Sequence, residues 1–296
     1  MNLNRYLLTL LVVLMGCSDS DSETETDGST PVDVEAVVDL QPGINELTMG
    51  QEVEGELVQR SYIVHLPDDY DGSGSTPLLF AFHGNGGNGA EFVNQFAPPV
   101  QSGDFVGVYA DGIANSWNIG REDSKADDVA FTAMILAALE GAPGIDTSKP
   151  VGVGFSNGAA LLHKIAIESE LLVGIVPQVS QLLVDNPPRS DSAKVSVMQF
   201  MGTLDDTCPY DGGEGVLGHN FMSAEDSAAA WAAHNGCDSE PTEAQVGEHV
   251  KMEWENCEAD RRVVHYRLNG VGHSVPPNVD GGSNARLIEF LKEARE

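Results

Sequence analysis

Positive charge is scarce in this chain of 296 residues, which carries 15 lysines and arginines against 46 aspartates and glutamates. The formal net charge of −31 disfavours nucleic acid as a partner and disfavours electrostatic binding to anionic lipid. The sequence also lacks paired Cys-x-x-Cys and His-x₃-His spacings, so no zinc site is expected. No Gly-Lys-Ser/Thr closes a glycine-rich stretch, which excludes a P-loop.

The N-terminal apolar run, Leu7–Met15, is too short for a transmembrane helix and has the length of a signal-peptide core. It ends in Leu14-Met15-Gly16-Cys17, which resembles a bacterial lipobox. The resemblance implies lipidation of Cys17 and, through Ser18, sorting to the outer membrane. We therefore predict a lipoprotein signal peptide over residues 1–16. An ordinary cleaved signal peptide is the alternative.

Residues 18–39 are rich in Ser, Thr, Asp and Glu and contain no lysine or arginine. Such a segment cannot bury enough apolar surface to fold, which predicts a disordered acidic tether over residues 17–41. A single catalytic domain is expected over residues 42–296, with membrane contact only through the lipid. Export also favours a disulfide between Cys237 and Cys257, which flank a polar stretch that we predict to be irregular. Cys208 would then remain unpaired; three free thiols are the alternative.

Strand-like and helix-like segments alternate in this domain, which predicts an α/β fold with a mostly parallel sheet and helices on both faces. The predicted strands are Ser61–Leu66, Pro77–Phe82, Phe105–Tyr109, Val151–Phe155, Val173–Val179, Val195–Met201 and Val263–Leu268. The predicted helices are Glu91–Phe96, Asp127–Leu139, Ala159–Ile167, Ala224–His234 and Asn284–Ala294. Because ligands of such sheets bind at the carboxyl ends of the strands, the loops that follow them are the candidate sites.

A nucleophile is predicted at Ser156, the centre of the G-x-S-x-G motif Gly154–Gly158. The motif lies between a predicted strand and a predicted helix, and its glycines remove Cβ atoms that would clash in so tight a turn. The helix N-terminus behind Ser156 favours developing negative charge. A glycine-rich βα turn without catalytic function is the alternative for the motif by itself.

A serine nucleophile needs a base, and the base needs an orienting acid. His273 is the predicted base because it follows a strand and has glycines nearby; His219, in a glycine-rich loop, is the rival. Asp205 is the predicted acid, with Asp206 and Asp185 as alternatives. The order serine, aspartate, histidine is the order of the α/β-hydrolases.

Two backbone amides are predicted to bind the oxyanion, those of Asn157 and Asn85. Asn157 directly follows the nucleophile. Asn85 belongs to the glycine-rich loop His83–Asn88, which follows the strand Pro77–Phe82. The alternative is that this loop is only a turn or an anion-binding nest.

Several segments in order resemble the branch of the α/β-hydrolases that contains polyhydroxybutyrate depolymerases and feruloyl esterases. They are His83–Asn88, Tyr109–Gly112, Trp117–Arg121, Asp127–Phe131, Gly154–Gly158, Gly202–Asp205 with Pro209–Tyr210, and Gly272–His273. The resemblance implies a secreted serine esterase without metal or cofactor, in which Trp117 lines the subsite for the acyl or aromatic group. A packed surface tryptophan is the alternative for Trp117. His83 and Gly84 are also predicted to bind substrate, and support of the glycine-rich loop is the alternative for His83. Cys208 and Asn85 depart from the family pattern, so the loop beside Asp205 is expected to differ in shape.

The predicted activity is hydrolysis of feruloyl esters on plant polysaccharide by a monomeric enzyme. Acetyl esters on xylan and hydroxyalkanoate oligomers are the alternative substrates, because specificity depends on loop shape. Peptidase activity on this scaffold is a lesser alternative. A surface lipoprotein that binds without catalysis is the alternative from a different class of protein.

Overall fold

A computed structural model describes residues 38–296 of the chain. The predicted signal peptide, Cys17 and nearly all of the predicted tether lie outside these residues. No helix among the described residues is long and apolar enough to cross a membrane. In the same region, no group of three or more His, Cys, Asp or Glu side chains is arranged to hold a metal ion.

Ten strands form one sheet in the order β1-β2-β4-β3-β5-β6-β7-β12-β11-β10, and β8 and β9 form a separate pair. The strands are β1 (Ile44–Val53), β2 (Glu56–His65), β3 (Thr76–Phe82), β4 (Val106–Ala110), β5 (Ile145–Phe155), β6 (Gly174–Gln178), β7 (Ser196–Gly202), β8 (Gly213–Glu214), β9 (Asn220–Phe221), β10 (Thr242–Val246), β11 (His249–Trp254) and β12 (Val263–Leu268). The six strands from β4 to β12 in the sheet order are parallel, and the strands outside them are antiparallel.

Helices cover both faces of the sheet, as predicted. They are α1 (Glu91–Gln95), α2 (Ala97–Gln101), α3 (Asp128–Leu139), α4 (Asn157–Glu168), α5 (Ala224–His234) and α6 (Ser283–Glu293). Successive side chains of β3 point to opposite faces and divide the core in two. Phe80 and Phe82 pack with α3, α4 and α5, whereas Leu79 and Ala81 pack with α1 and α6.

The structure corrects the prediction that the stretch between Cys237 and Cys257 is irregular. It is a β-hairpin, β10–β11, in which Val246 pairs with His249 across Gly247-Glu248. The buried side chains of β11 alternate with partly exposed ones, so a period of two was present between Val250 and Trp254 but was masked by the polar residues around it. The sulfur atoms of Cys237 and Cys257 lie within bonding distance at the base of this hairpin.

A buried ion pair anchors α3 to β2. The Arg60 guanidinium donates to the Asp128 carboxylate at 2.8 Å, and neither side chain is more than 1% exposed. Asp128 also accepts the backbone N–H of Asn118 at 2.7 Å, so it holds the loop before the helix. Local sequence patterns do not indicate this pair, because its two partners lie 68 residues apart.

Replacing Arg60 with methionine is expected to destabilise the fold by about 3 to 5 kcal/mol, because it leaves the Asp128 charge buried and unpaired. The double variant Arg60→Met/Asp128→Asn should recover part of this loss, because the neutral amide can still accept from Asn118. Chemical denaturation measures the free energy of unfolding. The matched control is Arg189→Met, which removes an exposed ion pair with Asp191 and should cost less than about 1 kcal/mol. Equal losses for Arg60→Met and Arg189→Met would contradict the prediction.

Candidate active site

Ser156 occupies a sharp turn between β5 and α4. Its backbone has φ 54° and ψ −117°, a strained conformation for a residue with a side chain. A Cβ on Gly154 would lie 2.3 Å from the carbonyl oxygen of Gly158, and a Cβ on Gly158 would lie 2.2 Å from that of Phe82. Both glycines are therefore required by close backbone contacts, as the motif predicted.

Three loops bring Ser156, His273 and Asp205 into one hydrogen-bonded chain. His273 Nε2 lies 2.8 Å from Ser156 Oγ, and His273 Nδ1 lies 2.8 Å from Asp205 Oδ2. These residues follow the parallel strands β5, β12 and β7, which end at the same edge of the sheet. The Asp205 side chain is fully buried, whereas that of His273 is 23% exposed. The imidazole is thus held by a buried carboxylate on its Nδ1 side and remains partly accessible to a ligand.

The Asp205 carboxylate is held by two further hydrogen bonds. Its Oδ1 accepts the backbone N–H groups of Thr207 and Cys208, each at 3.0 Å. The alternatives for the acid, Asp206 and Asp185, are both exposed. Neither forms a hydrogen bond with His273 in the described structure. Of the candidate acids, only Asp205 is brought to the base.

Cys208 fills a buried position beside this carboxylate and is the free cysteine among the described residues. Burial, with a smaller contribution from the Asp205 charge, raises the pKa of its thiol to about 12. The thiol is therefore protonated at neutral pH and does not compete with Ser156 as a nucleophile. Cys208 donates its backbone N–H to Asp205 and also lines the cavity beside Ser156.

The amides predicted for the oxyanion both border the same cavity as Ser156. Asn157 is the first residue of α4, and Asn85 lies in the loop after β3. Within residues 38–296, neither backbone N–H has a hydrogen-bond acceptor. Gly84 brings this loop close, because a Cβ there would lie 3.4 Å from the Cβ of Ser156.

The Asn157 side chain fixes its own backbone in place. Its Oδ1 accepts the Trp117 N–H at 2.7 Å, and its Nδ2 donates to the Trp117 carbonyl at 3.0 Å. This pair resembles the two hydrogen bonds between neighbouring strands and joins α4 to the loop before α3. Trp117 therefore acts on the site through its backbone.

The prediction that Trp117 lines a substrate subsite is wrong. Its side chain is fully buried, packs edge-on against Phe82, and donates from Nε1 to the His83 carbonyl at 2.8 Å. It does not border the cavity next to Ser156. The family resemblance indicated an aromatic residue at this position but could not show which way its ring points.

The structure also corrects the substrate-binding prediction for His83, whose ring is buried. Its Nε2 accepts the Gly112 N–H at 3.0 Å, so Nδ1 carries the proton and donates to the Gly84 carbonyl at 2.8 Å. Burial lowers the pKa of His83, which keeps the ring neutral. His83 thus shapes the oxyanion loop, and Gly84 is the residue of the three that borders the cavity.

The cavity beside Ser156 has a volume of about 310 Å³, near the lower end of the range for ligand pockets. Its walls come from the loops after β3, β4, β5, β6, β7 and β12 and from the segment that joins β8 to β9. The surface of the cavity is mainly apolar, and the apolar side chains that line it are Ile119, Phe155, Ala160, Val216, Leu217 and Phe221.

Sequence reasoning missed one polar pair in this wall. The Oε1 of Glu122 lies 2.9 Å from the Nε2 of His219, the rival candidate for the base, and each side chain is 3% exposed. His219 is therefore tied to Glu122 and makes no hydrogen bond to Ser156 within the described residues. No sequence signal points to Glu122, which lies 97 residues from its partner.

Comparisons with known proteins show which proteins this chain is similar to. The chain is 27% identical over 229 residues to feruloyl esterase B of Piromyces equi, an alignment that covers 73% of this chain and 42% of that protein. It is 26% identical over 235 residues to feruloyl esterase C of Emericella nidulans, covering 74% and 81%. The chain thus spans less than half the length of the Piromyces equi relative. No protein-family model matches the chain.

The fold is shared with a solved acetyl xylan esterase from Aspergillus awamori. The superposition has a TM-score of 0.62 and covers 85% of this chain and 99% of the other, at 13% identity. At that level of identity the likeness shows the fold alone. Together with the mostly parallel sheet covered by helices, it shows the α/β-hydrolase fold.

Proposed function

We propose that this chain, an α/β-hydrolase related to the feruloyl esterases, hydrolyses carboxylic esters through Ser156. The observation that carries the proposal is the unbroken hydrogen-bonded chain from Ser156 through His273 to Asp205, at 2.8 Å for each step. This arrangement of a hydroxyl, an imidazole and a buried carboxylate activates a serine for nucleophilic attack.

In the first half of the reaction, Ser156 Oγ attacks the ester carbonyl carbon and His273 Nε2 accepts its proton. Asp205 accepts the Nδ1–H of His273, which keeps the lone pair on Nε2 and stabilises the imidazolium that forms. His273 then donates its new proton to the departing alcohol. The serine is left acylated.

The amides of Asn157 and Asn85 are suited to bind the oxyanion of the tetrahedral intermediate. Both lack acceptors within the described chain, and Asn157 stands at the N-terminus of a twelve-residue helix. The helix dipole favours negative charge at that end. In the second half of the reaction, His273 activates a water molecule that releases the acid and restores Ser156.

Within esters, we rank feruloyl esters of plant polysaccharide first, because the relatives are named feruloyl esterases and the cavity is mainly apolar. Xylan acetyl esters and hydroxyalkanoate oligomers are the alternatives. We also propose that the protein is exported, carries lipid on Cys17, and acts as a monomer held by its acidic segment near the outer membrane. This part rests on the sequence of residues 1–41.

A panel of esters tests the activity and the ranking. The purified full-length protein should hydrolyse p-nitrophenyl acetate, and its kcat/KM should be higher for methyl ferulate than for acetylated xylan or a hydroxybutyrate oligomer. A fluorophosphonate probe should label the peptide that contains Ser156, as read by mass spectrometry. The absence of both turnover and labelling would overturn the proposal and favour a non-catalytic binding protein. A preference for another ester would overturn only the ranking.

A further inference from the structure

The buried pair Glu122–His219 places a hydrogen-bonding group in an otherwise apolar part of the cavity wall. Both residues border the cavity that contains Ser156, and both side chains are almost fully buried. The second oxygen of Glu122, Oε2, accepts the backbone N–H groups of Ile119 at 2.8 Å and Arg121 at 3.1 Å. The carboxylate is thus held on one side by its own loop and on the other by His219.

These contacts determine which nitrogen of His219 carries the proton. Burial by itself would raise the pKa of Glu122, but the hydrogen bonds from His219 and from the backbone lower it overall. An ionised carboxylate only accepts hydrogen bonds, so His219 Nε2 must be the donor. In the neutral imidazole the lone pair is then on Nδ1, as in other histidines oriented by a carboxylate.

The Nδ1 of His219 has no hydrogen-bond partner among residues 38–296, and this atom is still accessible to solvent. Since His219 as a whole is only 2% exposed and borders the cavity, the remaining access to Nδ1 is from the cavity. An acceptor in such a place is satisfied by a ligand that brings a donor. An aliphatic or unsubstituted aromatic group would leave it unpaired, which is costly.

We propose that His219 Nδ1 accepts a hydrogen bond from the hydroxyl of an aromatic acyl group, and that Glu122 is the positioning residue that keeps Nδ1 in the accepting form. The inference rests on the proposed esterase function and adds the group that selects the substrate. The walls around the pair, among them Ile119, Val216 and Phe221, suit a flat apolar ring. A sugar would need several polar partners, whereas a phenol needs one.

Glu122→Gln is the sharpest variant, because it keeps the volume and a hydrogen bond between the two residues. The two backbone N–H groups on Oε2 require the glutamine to place its oxygen there. Its NH₂ then donates to His219 Nε2, and the ring proton moves to Nδ1. The cavity would face a donor instead of an acceptor. His219→Phe removes the group altogether.

The experiment compares kcat/KM for methyl 4-hydroxycinnamate and methyl 4-methoxycinnamate, which differ by one methyl group that removes the hydroxyl donor. The wild-type protein should prefer the hydroxyl compound by about tenfold, the effect of one hydrogen bond. In Glu122→Gln and in His219→Phe the ratio should fall to about one or below. Glu255→Gln, an exposed glutamate, should keep the wild-type ratio. Because the readout is a ratio of two substrates, a general loss of activity does not imitate the effect.

Equal use of both esters by the wild-type protein would overturn the inference, as would an unchanged ratio in Glu122→Gln. If His219→Phe does not fold, the wild-type protein and Glu122→Gln still decide the question. Hydrolysis of p-nitrophenyl acetate by the wild-type protein distinguishes a failure of the His219 inference from a failure of the esterase proposal. Turnover of p-nitrophenyl acetate without any hydroxyl preference would retain the esterase and reject the role of His219.

Discussion

Replacing Ser156 with alanine is expected to lower kcat for p-nitrophenyl acetate by about 10⁶-fold. The Oγ atom is the proposed nucleophile, and its hydrogen bond with His273 is the one it makes within the described structure. Without it, His273, Asp205 and the oxyanion amides have no attacking group to assist. Steady-state turnover at high enzyme concentration measures the loss, and the fluorophosphonate adduct should disappear with it.

The fold should survive this substitution. Alanine keeps the Cβ at the strained position and removes one oxygen, so the free energy of unfolding should change by less than about 1 kcal/mol. Ser274→Ala provides a matched control, because Ser274 is exposed and directly follows His273 in the sequence. It should retain wild-type turnover. Activity in a folded Ser156→Ala protein would exclude Ser156 as the nucleophile.

Replacing Asp205 with asparagine is expected to lower kcat by about 10⁴-fold while the protein stays folded. The backbone N–H groups of Thr207 and Cys208 both point at Oδ1, so the asparagine must place its oxygen there. Its NH₂ then faces His273 Nδ1 and donates to it, which moves the ring proton to Nε2. A protonated Nε2 cannot accept the proton of Ser156.

The neighbouring aspartate supplies the control for this prediction. Asp206 is exposed and has the same charge, so Asp206→Asn changes the net charge equally without touching the hydrogen-bonded chain. It should keep turnover close to that of the wild-type protein. A large loss in Asp206→Asn, or near-normal turnover in Asp205→Asn, would show that the acid has been misidentified. Thermal unfolding of both variants separates a catalytic loss from a loss of structure.

Much of the fold was predictable because the parallel strands are short apolar runs between helices. The strand Val263–Leu268 was predicted with its observed bounds, and the other central strands differ from prediction at their ends. The antiparallel strands were harder. Strand β1 and the hairpin β10–β11 are partly exposed and mix polar with apolar residues, so their pairing depends on partners that the local pattern does not contain.

The candidate site also contains residues whose roles were predictable from the sequence and residues whose roles were not. Ser156 was predictable because the residues that form its turn are contiguous in the sequence. His273 and Asp205 followed from their order and from their positions in loops after strands. Trp117 and His83 were placed in the right region but given the wrong role, because a side chain's direction depends on its packing. Both side chains form hydrogen bonds with backbone groups and thereby hold the loop that carries the predicted oxyanion amide.

By itself, the sequence determined the reaction class, the order of the three central residues and the alternation of strands and helices. These depend on short-range rules: turn geometry, periodicity and the position of loops after parallel strands. Only the tertiary structure decided the ion pair of Arg60 with Asp128 and the pair of Glu122 with His219, whose partners lie 68 and 97 residues apart. A hydrogen bond is a contact of a few ångströms, so when its partners are far apart in the chain the whole fold must form before it can.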